Sequence, residues 1–376
     1  MKKYIFRKRA GFRMQQFLKK LLAKQIISSV NKFSSRPNQN RVDKALSELY
    51  QEIKTNSGGK GLCLAFDMMK DKYIIFSDQH KGARNGADIF ALAEQNYLSA
   101  LKYYNEKDFF YINLGDSEEL WENQLNTVKK HNKATFEIEK VFLEKNSFIK
   151  IFGNHDLYWD NSPLAQKNLG KIYGQKVNIY EGLILKSIKS KIPFEIYMTH
   201  GHQGDLQSDG NWFSKWFVSS IWGPIEGYLR INPNTPANND ELKTEHNSMM
   251  YQWSSKQSGT LLITGHTHQP VFKSLTQIEK LYRELQIAES LNNLVAIAEI
   301  KKQIKHRENK GNKISSFEGY LDTYFNSGCC CFDDGDITGV ELQDGFIRLV
   351  KWQYDAANKT ERMILEEAKL DDLLLG

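Results

Sequence analysis

Five short motifs along the chain carry side chains that could bind metal ions. They are SDQH at 77–80, LGDS at 114–117, GNHD at 153–156, HGH at 200–202 and GHTH at 265–268. Carboxylates, imidazoles and one amide together form a ligand set that divalent transition metals accept. If the fold brings the five motifs together, they predict a site for such metals.

Each motif directly follows a run of β-branched or aromatic residues. The runs are KYIIF, FFYIN, FIKIF, FEIYM and TLLI, in chain order. Such runs are typical of buried strands, so every motif would lie at the carboxyl end of a strand. Ligands of open α/β sheets bind at that edge, which is where we expect the five motifs to meet.

The set of motifs, in this order, resembles the calcineurin-like metallophosphoesterase superfamily. That superfamily carries D-x-H, G-D, G-N-H-D/E, a histidine of the HGH type and G-H-x-H. The resemblance covers about residues 72–272, and more loosely 320–355, where Asn326 and Gly328 resemble an N-x-G strand. It implies an α/β fold, namely a metallophosphoesterase-type α/β/β/α sandwich of two mixed sheets with helical insertions.

The resemblance further implies two divalent metal ions, for which Mn, Fe, Zn and Co all suit the ligands. The implied ligands are Asp78, His80 and His268 for the first ion, Asn154, His200 and His266 for the second, and Asp116 between them. Such a pair lowers the pKa of a shared water and clamps phosphoryl oxygens. His155 would be a general acid or would stabilise the transition state, and Asp156 would orient His155.

Three further polar residues near the motifs are candidates for substrate binding. Lys81 and Arg84, in the segment HKGARNG, could reach a substrate phosphate or could be solvated loop charges. His202 could hydrogen-bond a ligand or substrate, or could simply cap its loop.

The basic charge of the chain is concentrated at its N-terminus. The 376 residues carry a formal net charge of +6, and residues 1–41 hold 12 Lys or Arg with no Asp or Glu. Apolar residues recur there at helical spacing: Met14, Phe17, Leu18, Leu21, Leu22, Ile26, Val30 and Phe33. This basic amphipathic arm and its linker could contact an anionic membrane surface, pack on the core or bind nucleic acid.

We expect residues 42–376 to form the metallophosphoesterase domain, interrupted by two insertions. The first, about 205–258, contains Trp212, Trp216 and Trp222 and would be an aromatic core segment or a lid over the site. The second, about 275–311, has the heptad-like pattern of a helical hairpin with its turn at 291–293. Its helices would pack on each other or would form a homodimer.

Four cysteines do not indicate a secreted disulfide framework. Cys63 stands alone, and Cys329, Cys330 and Cys331 are consecutive, which predicts small buried side chains in a strand. No apolar run approaches the length of a transmembrane helix. We therefore expect a cytoplasmic protein, with peripheral contact at the membrane if the arm binds lipid.

Together these features predict a dinuclear metal-dependent hydrolase of phosphodiester or pyrophosphate bonds. GDSEELWE, HGHQGD and the aromatic insertion are similar to UDP-2,3-diacylglucosamine hydrolases, which implies a lipid-linked or nucleotide substrate. Two departures weaken this similarity, because that family usually has Arg in place of His155 and HGD in place of HGH. The alternatives are a phosphomonoesterase acting on phosphoprotein or a small metabolite, a nucleic-acid-directed phosphodiesterase, and a binding module that retains the metal site.

Overall fold

A computed structural model describes residues 38–85, 88–121, 123–204, 240–309 and 320–373. Nearly all of the basic arm, and the part of the first insertion that contains Trp212, Trp216 and Trp222, lie outside these residues. The predicted amphipathic helix of the arm and the predicted aromatic lid are therefore not tested by the structure. No helix in the described part of the chain is both long and apolar enough to cross a bilayer.

The described strands form two mixed sheets of seven strands each. In the first sheet, the order is β1 (Gly61–Phe66), β6 (Gly182–Ser187), β7 (Glu195–Thr199), β8 (Thr260–Thr264), β11 (Tyr324–Asn326), β9 (Val271–Phe272) and β10 (Leu275–Thr276). In this sheet β7 and β8 are parallel. Their carboxyl ends therefore lie at the same edge, and the HGH and GHTH motifs follow them.

The second sheet carries the other three motifs. Its order is β14 (Thr360–Lys369), β13 (Phe346–Tyr354), β12 (Ile337–Gln343), β2 (Tyr73–Phe76), β3 (Phe110–Leu114), β4 (Phe148–Ile151) and β5 (Ile179–Tyr180). β2, β3 and β4 are parallel neighbours. The five strands predicted to precede the motifs are thus all present, three in one sheet and two in the other.

The described residues also form ten helices. They are α1 (Gln39–Thr55), α2 (Phe90–Glu106), α3 (Leu125–His131), α4 (Lys133–Glu144), α5 (Tyr158–Asn161), α6 (Ala165–Tyr173), α7 (Asp240–Ser254), α8 (Gln277–Ser290), α9 (Leu294–Asn309) and α10 (Leu370–Leu373). α1 is amphipathic, because Val42, Leu46, Leu49 and Ile53 recur at three- and four-residue spacing and are all buried.

Three apolar layers hold these elements together. The central layer lies between the sheets, where Ile75 and Ile112 of the second sheet pack with Leu185 and Ile263 of the first. α2 packs on the outer face of the second sheet. α1 and α7 cover the first sheet, through a cluster that includes Trp253. This arrangement confirms the predicted α/β/β/α sandwich of two mixed sheets.

The structure corrects three local predictions. The sequence of residues 127–145, TVKKHNKATFEIEKVFLEK, predicts one helix. The structure instead breaks it at Asn132, whose side-chain amide donates to the carbonyl oxygens of Gly82 (2.8 Å) and Val128 (2.9 Å). Alternating residues on either side of the DG turn at 344–345 predict a hairpin at the sheet edge. The hairpin β12–β13 forms, but it is not the edge, because the further strand β14 pairs with β13. The three consecutive cysteines are buried as predicted, but they lie in the loop between β11 and β12 rather than in a strand.

The described parts of the two predicted insertions are helical. α7 belongs to the core, since Met250 and Trp253 are buried against the first sheet. α8 and α9 pack against each other around Leu281, Leu285 and Ile304. Residues 291–293 connect them, and a capping box of Thr276 and Glu279 begins α8.

Candidate metal centre

Backbone hydrogen bonds fix the motif loops to one another at the shared edge of the sheets. The Asp78 and His80 amides donate to the carbonyl oxygens of Gly115 (3.0 Å) and Asp116 (2.9 Å). Within the first sheet, the Gly265 amide donates to the carbonyl oxygen of His200 (2.9 Å). Across the sandwich, the His266 amide donates to Asp78 Oδ2 (3.0 Å). The loops after β2 and β3 and the loops after β7 and β8 therefore form a single rim.

The glycines of the GD, GN and GH motifs allow this close approach. A Cβ at Gly115 would lie 2.6 Å from the His200 ring. A Cβ at Gly153 would lie 2.2 Å from Asp116 Oδ1, and one at Gly265 would lie 2.5 Å from Asp78 Oδ2. Each glycine thus leaves the space that a predicted metal ligand from a different motif occupies.

Five of the seven predicted ligands have left-handed backbone conformations. Their φ angles are 54° for Asp78, 50° for His80, 50° for Asp116, 69° for His266 and 55° for His268. Non-glycine residues rarely adopt positive φ, and such conformations cluster at functional sites. The backbone at this rim is therefore held in unfavourable conformations that direct these side chains inward.

Ligand atoms from four of the five motifs converge in the centre of the rim. His268 Nε2 lies 3.0 Å from His80 Nε2 and 3.2 Å from Asp78 Oδ1. His200 Nε2 lies 3.0 Å from Asp116 Oδ2, and His266 belongs to the same cluster. His80 Nε2 is 3.8 Å from both Asp78 Oδ1 and Asp116 Oδ2. The side chains thus form the two groups, joined at Asp116, that two ions require.

Buried polar atoms without good hydrogen bonds show that this cluster suits metal ions. Within the described part of the chain, Asn154 Oδ1 is buried without a partner, and Asp78 Oδ1 and His200 Nε2 are buried without a hydrogen bond of good geometry. The latter two atoms lie 3.2 Å from His268 Nε2 and 3.0 Å from Asp116 Oδ2, respectively. Leaving a buried polar atom unpaired costs about 1–3 kcal/mol, so such atoms call for an explanation. Because all three are predicted ligand atoms, coordination to divalent ions would satisfy them.

The pKa values of three predicted histidine ligands are shifted in different directions by their surroundings. Burial lowers the pKa of His200, but Asp116 and Asp78 raise it more, to about 9. Burial also lowers the pKa of His266 and of His268, and there it outweighs the nearby carboxylates. Positive charge is thus favoured beside Asp116, and neutral imidazoles, the form that binds metals, are favoured at the other two positions.

Glu119 links the predicted catalytic histidine to a predicted ligand. One carboxylate oxygen of Glu119 lies 2.8 Å from His155 Nδ1, and the other lies 2.8 Å from His80 Nδ1. Burial raises the pKa of Glu119, but His155 and His80 lower it more, to about 2. This carboxylate therefore fixes both rings with their Nε2 atoms directed away from it.

Asp156 does not orient His155, contrary to prediction. Its two carboxylate oxygens accept hydrogen bonds from the backbone amides of Gly153 (2.6 Å) and Ser117 (3.0 Å). Burial raises the pKa of Asp156 to about 7, although Lys150 lowers it. Asp156 therefore joins the GN and GD loops to each other, and Glu119 occupies the position predicted for Asp156.

Lys81 and Arg84 are also not placed to bind substrate. Lys81 is fully buried, and its ammonium lies 2.6 Å from Glu139 and 3.1 Å from Glu118. Arg84 pairs with Glu94 (2.5 Å) on α2. Both cations are thus engaged in the layer between the second sheet and its helices, where their carboxylate partners compensate their charge.

His202 is buried beside the centre, and a second histidine, not predicted from sequence, lies near it. The His202 ring centroid is 5.5 Å from that of His200. His246, on α7, has its ring centroid 5.0 Å from that of His266. Burial and the neighbouring His200 lower the pKa of His202 to about 3 and that of His246 to about 4.

Two residues of the site escaped the sequence motifs, and only one of them left a usable signal. Glu119 follows the GD motif by three residues, so an acid at that spacing could have been considered as a partner for the histidine of GNHD. His246 has no such signal, because it lies on a helix in a segment without a recognisable motif.

Comparisons with known proteins agree with this geometry. Residues 72–270 match the family model of the calcineurin-like phosphoesterases, but no curated protein matches the chain. The similarity to UDP-2,3-diacylglucosamine hydrolases is therefore not supported by these comparisons.

Three solved structures resemble this chain at low sequence identity. Vacuolar protein sorting 29 of Cryptosporidium parvum is 12% identical, with a TM-score of 0.33, and 80% of this chain covers 98% of it. A dimetal phosphatase of Danio rerio is 8% identical, with a TM-score of 0.32 and the same coverages. A Staphylococcus aureus protein described as a 5′-nucleotidase is 12% identical, with a TM-score of 0.30; 80% of this chain covers 54% of it.

Likeness at this level does not bear on function, whereas the family match spans more than half of the chain and contains all seven predicted ligands. The chain belongs to the calcineurin-like phosphoesterase family and is a hydrolase that acts on phosphoester bonds.

Proposed function

We propose that the protein hydrolyses a phosphodiester or pyrophosphate bond with two divalent metal ions held by the rim. The observation that carries this proposal is the set of buried ligand atoms around Asp116 that lack a hydrogen bond of good geometry among the described residues. Asp78, His80 and His268 would hold one ion, and Asn154, His200 and His266 the other. When bound, such an ion pair lowers the pKa of water and neutralises charge on phosphoryl oxygens.

The contact between Glu119 and His155 supports a role for His155 as the general acid. Because His155 Nδ1 lies 2.8 Å from the Glu119 carboxylate, that nitrogen carries its proton toward Glu119. His155 Nε2 is then free to donate a second proton to the oxygen that leaves phosphorus. The Trp121 ring, 5.0 Å away and nearly perpendicular, packs against the His155 ring and limits its rotation.

The positions of Asp116 and His155 are also linked. The His155 amide donates to Asp116 Oδ1 at 2.7 Å. The other oxygen of Asp116 lies toward His200. The carboxylate that would bridge the ions thus also fixes the backbone of the proposed acid. Asp116 would therefore set the position of the proton donor relative to the metal-bound phosphoryl group.

The preference for a diester or pyrophosphate rests on the engagement of Lys81 and Arg84. A phosphomonoester carries a second negative charge, which a nearby cationic side chain would stabilise. Glu139 and Glu118 instead hold Lys81, and Glu94 holds Arg84. Neither of these two cations is therefore available to the extra charge of a monoester.

A substrate panel tests this function. Purified protein, stripped with a chelator and reloaded with Mn²⁺, would be assayed with bis-p-nitrophenyl phosphate, a nucleoside diphosphate sugar and p-nitrophenyl phosphate. We expect the diester or the pyrophosphate to have the highest kcat/KM, and metal analysis to find two ions per chain. A higher kcat/KM for the monoester would instead indicate a phosphomonoesterase, and no turnover of any substrate would contradict the proposal.

A further inference from the structure

Four charged side chains form a fully buried cluster next to the SDQH and LGDS loops. They are Lys81, Glu118, Glu139 and Lys150. Two ammonium groups are paired with two carboxylates, so the cluster carries no excess charge. Replacement of buried ion pairs by apolar residues of similar volume is often neutral or stabilising. Stability alone therefore does not explain these charges.

Glu118 connects three of the motif loops. It follows the LGDS motif directly, and its carboxylate lies 3.1 Å from the ammonium group of Lys81, the residue after SDQH. The carboxylate also lies 2.9 Å from the ammonium group of Lys150, on the strand that leads into GNHD. Beyond GNHD, Trp159 Nε1 donates to the same carboxylate at 2.7 Å. One side chain thus contacts residues on both sides of GNHD and the residue after SDQH.

Glu139 belongs to the same cluster but connects helices instead. It lies on α4 and accepts hydrogen bonds from Tyr97 (2.8 Å) on α2 and from Tyr173 (2.7 Å) on α6. Its carboxylate also lies 2.6 Å from the ammonium group of Lys81. The two glutamates therefore match in charge and burial, but Glu118 contacts the motif loops and Glu139 the helix layer.

A short parallel bridge relates Glu118 to the rim. Lys81 is paired with Glu118, and the Glu119 amide donates to the carbonyl oxygen of Lys81 (3.1 Å). In extended backbone, consecutive side chains point in opposite directions. Lys81 meets Glu118 in the helix layer, whereas the adjacent pair, His80 and Glu119, meets in the rim at 2.8 Å. The direction of Glu118 therefore determines the direction of Glu119.

We propose that Glu118 is a positioning residue, which keeps the neighbouring Glu119 carboxylate directed at the two histidine rings that it contacts. Glu119 lies 2.8 Å from the Nδ1 atoms of both His80 and His155. Through these contacts, Glu118 supports metal binding by His80 and proton donation by His155. The inference rests on the proposed function, because that function assigns the two histidines these roles.

Two matched variants test the inference. Glu118→Gln and Glu139→Gln each remove one buried negative charge from the same cluster, and we expect both to lower the free energy of unfolding in urea. In Glu118→Gln, the amide group must face an ammonium group or the Trp159 N–H. We therefore expect Glu118→Gln to weaken metal binding by the chelator-stripped protein about tenfold, the lower end of the usual loss when outer partners of metal-binding histidines are removed. Glu139→Gln should bind metal as the wild type does, and competition with a chromogenic chelator measures both.

A double variant separates charge balance from positioning. Glu118→Met combined with Lys150→Met removes one charge of each sign and leaves Lys81 paired with Glu139. Since the replacements are apolar and similar in volume, we expect most of the stability lost in Glu118→Gln to return. The contacts that direct Glu119 do not return, so metal affinity should stay low. A purely structural role for Glu118 would instead restore metal affinity together with stability.

The proposed acid gives a second readout. If Glu119 shifts, His155 loses the contact that orients it, so kcat of Glu118→Gln should fall at saturating Mn²⁺ while KM changes little. The loss should be larger for alkyl than for p-nitrophenyl leaving groups, because alkyl leaving groups depend more on protonation. If the metal-loaded wild type hydrolyses no substrate, the proposed function fails, whereas the metal affinities still test the role of Glu118.

Three results would overturn the inference. Wild-type metal affinity in Glu118→Gln would show that Glu118 does not support the rim. Equal losses in Glu118→Gln and Glu139→Gln would show that the whole cluster acts through stability. Recovery of metal affinity in the double variant would show that charge balance alone matters. If circular dichroism finds Glu118→Gln unfolded, the double variant decides, and wild-type metal affinity there refutes positioning.

Discussion

Replacing Glu119 by glutamine would separate two contacts that one carboxylate makes. In the native protein, its two oxygens lie 2.8 Å from the Nδ1 atoms of His80 and His155. Both nitrogens carry protons directed at the carboxylate. Glutamine keeps one accepting oxygen and replaces the other with a donating amide, so only one of the two rings can keep its contact.

The expected loss follows from the contact that glutamine cannot make. A hydrogen bond to a charged group contributes about 1.5–3 kcal/mol, which corresponds to about 10- to 150-fold. If His80 loses its partner, the loss should fall on metal affinity, as is usual for carboxylates that orient metal-binding histidines. If His155 loses its partner, the loss should fall on kcat with metal still bound.

Two measurements distinguish a loss of metal affinity from a loss of kcat. Competition with a chromogenic chelator gives the metal dissociation constants, and turnover at saturating Mn²⁺ gives kcat. Glu106→Gln, which changes an exposed residue at the end of α2, is the matched control. If Glu119→Gln keeps both metal affinity and kcat within about threefold of wild type, the two contacts do not hold the site together and the reasoning is refuted.

Four other changes have expected outcomes. Asp116→Asn should cost more activity than any other single ligand change because Asp116 would touch both ions; metal analysis showing one ion per wild-type chain would contradict this, and Asp108→Asn, at a similar φ of 58° in an exposed loop, is the control. His155→Ala should keep both ions yet lower turnover about 10²- to 10⁴-fold, with a smaller loss for p-nitrophenyl than for alkyl leaving groups; equal losses would exclude the acid role. Lys81→Met should lower the free energy of unfolding by about 3–5 kcal/mol, since it leaves Glu139 and Glu118 buried without this cation. If urea titration gives a free energy of unfolding within about 1 kcal/mol of wild type, the ion pairs of Lys81 contribute little to stability. Deletion of residues 1–36 should abolish binding to anionic vesicles while turnover of a soluble diester persists, and full-length protein that ignores such vesicles would remove the membrane proposal.

The sequence predicts the strands before the motifs from their composition, and the sandwich from the resemblance of the motifs to a known family. Strand runs such as KYIIF and TLLI are buried on both faces, so their composition alone identifies them. Their motifs follow at the carboxyl ends, and the parallel arrangement of the strands brings together the motifs of each sheet. That the two sheets meet at one rim was implied by the family resemblance of the motifs.

The neighbours of the ligands could not be predicted, because side-chain direction in a loop has no fixed period. His80 has a φ of 50°, and the next residue, Lys81, returns to a short parallel bridge with Glu118. This reversal sends Lys81 into the helix layer while His80 stays in the rim. The same geometry turns Glu118 toward Lys150 (2.9 Å) and leaves Glu119 facing the histidines. The sequence alone does not show which of these two consecutive glutamates contacts the histidines.

His246 depends on tertiary structure to a greater extent. Its segment was interpreted through the tryptophans that precede it, and the helical pattern of α7 indicates a buried face without showing what that face meets. Only the contact of Asn247 with Thr267 (3.2 Å) places this helix against the GHTH motif.

The left-handed conformations of Asp78, His80, Asp116, His266 and His268 restrict which amino acids the rim can accept. Asparagine, aspartate, histidine and glycine enter this region at modest cost, whereas β-branched residues are genuine outliers there. Replacement of a ligand by valine, isoleucine or threonine would thus have two effects. It would remove a metal-binding atom, and it would strain the backbone at a positive φ. An inactive descendant of this protein that keeps its fold would carry glycine, asparagine or aspartate at these positions. The backbone would still require residues that tolerate a positive φ after activity is lost. The residue types at these five positions would therefore still indicate that an inactive relative descends from a metal-binding protein.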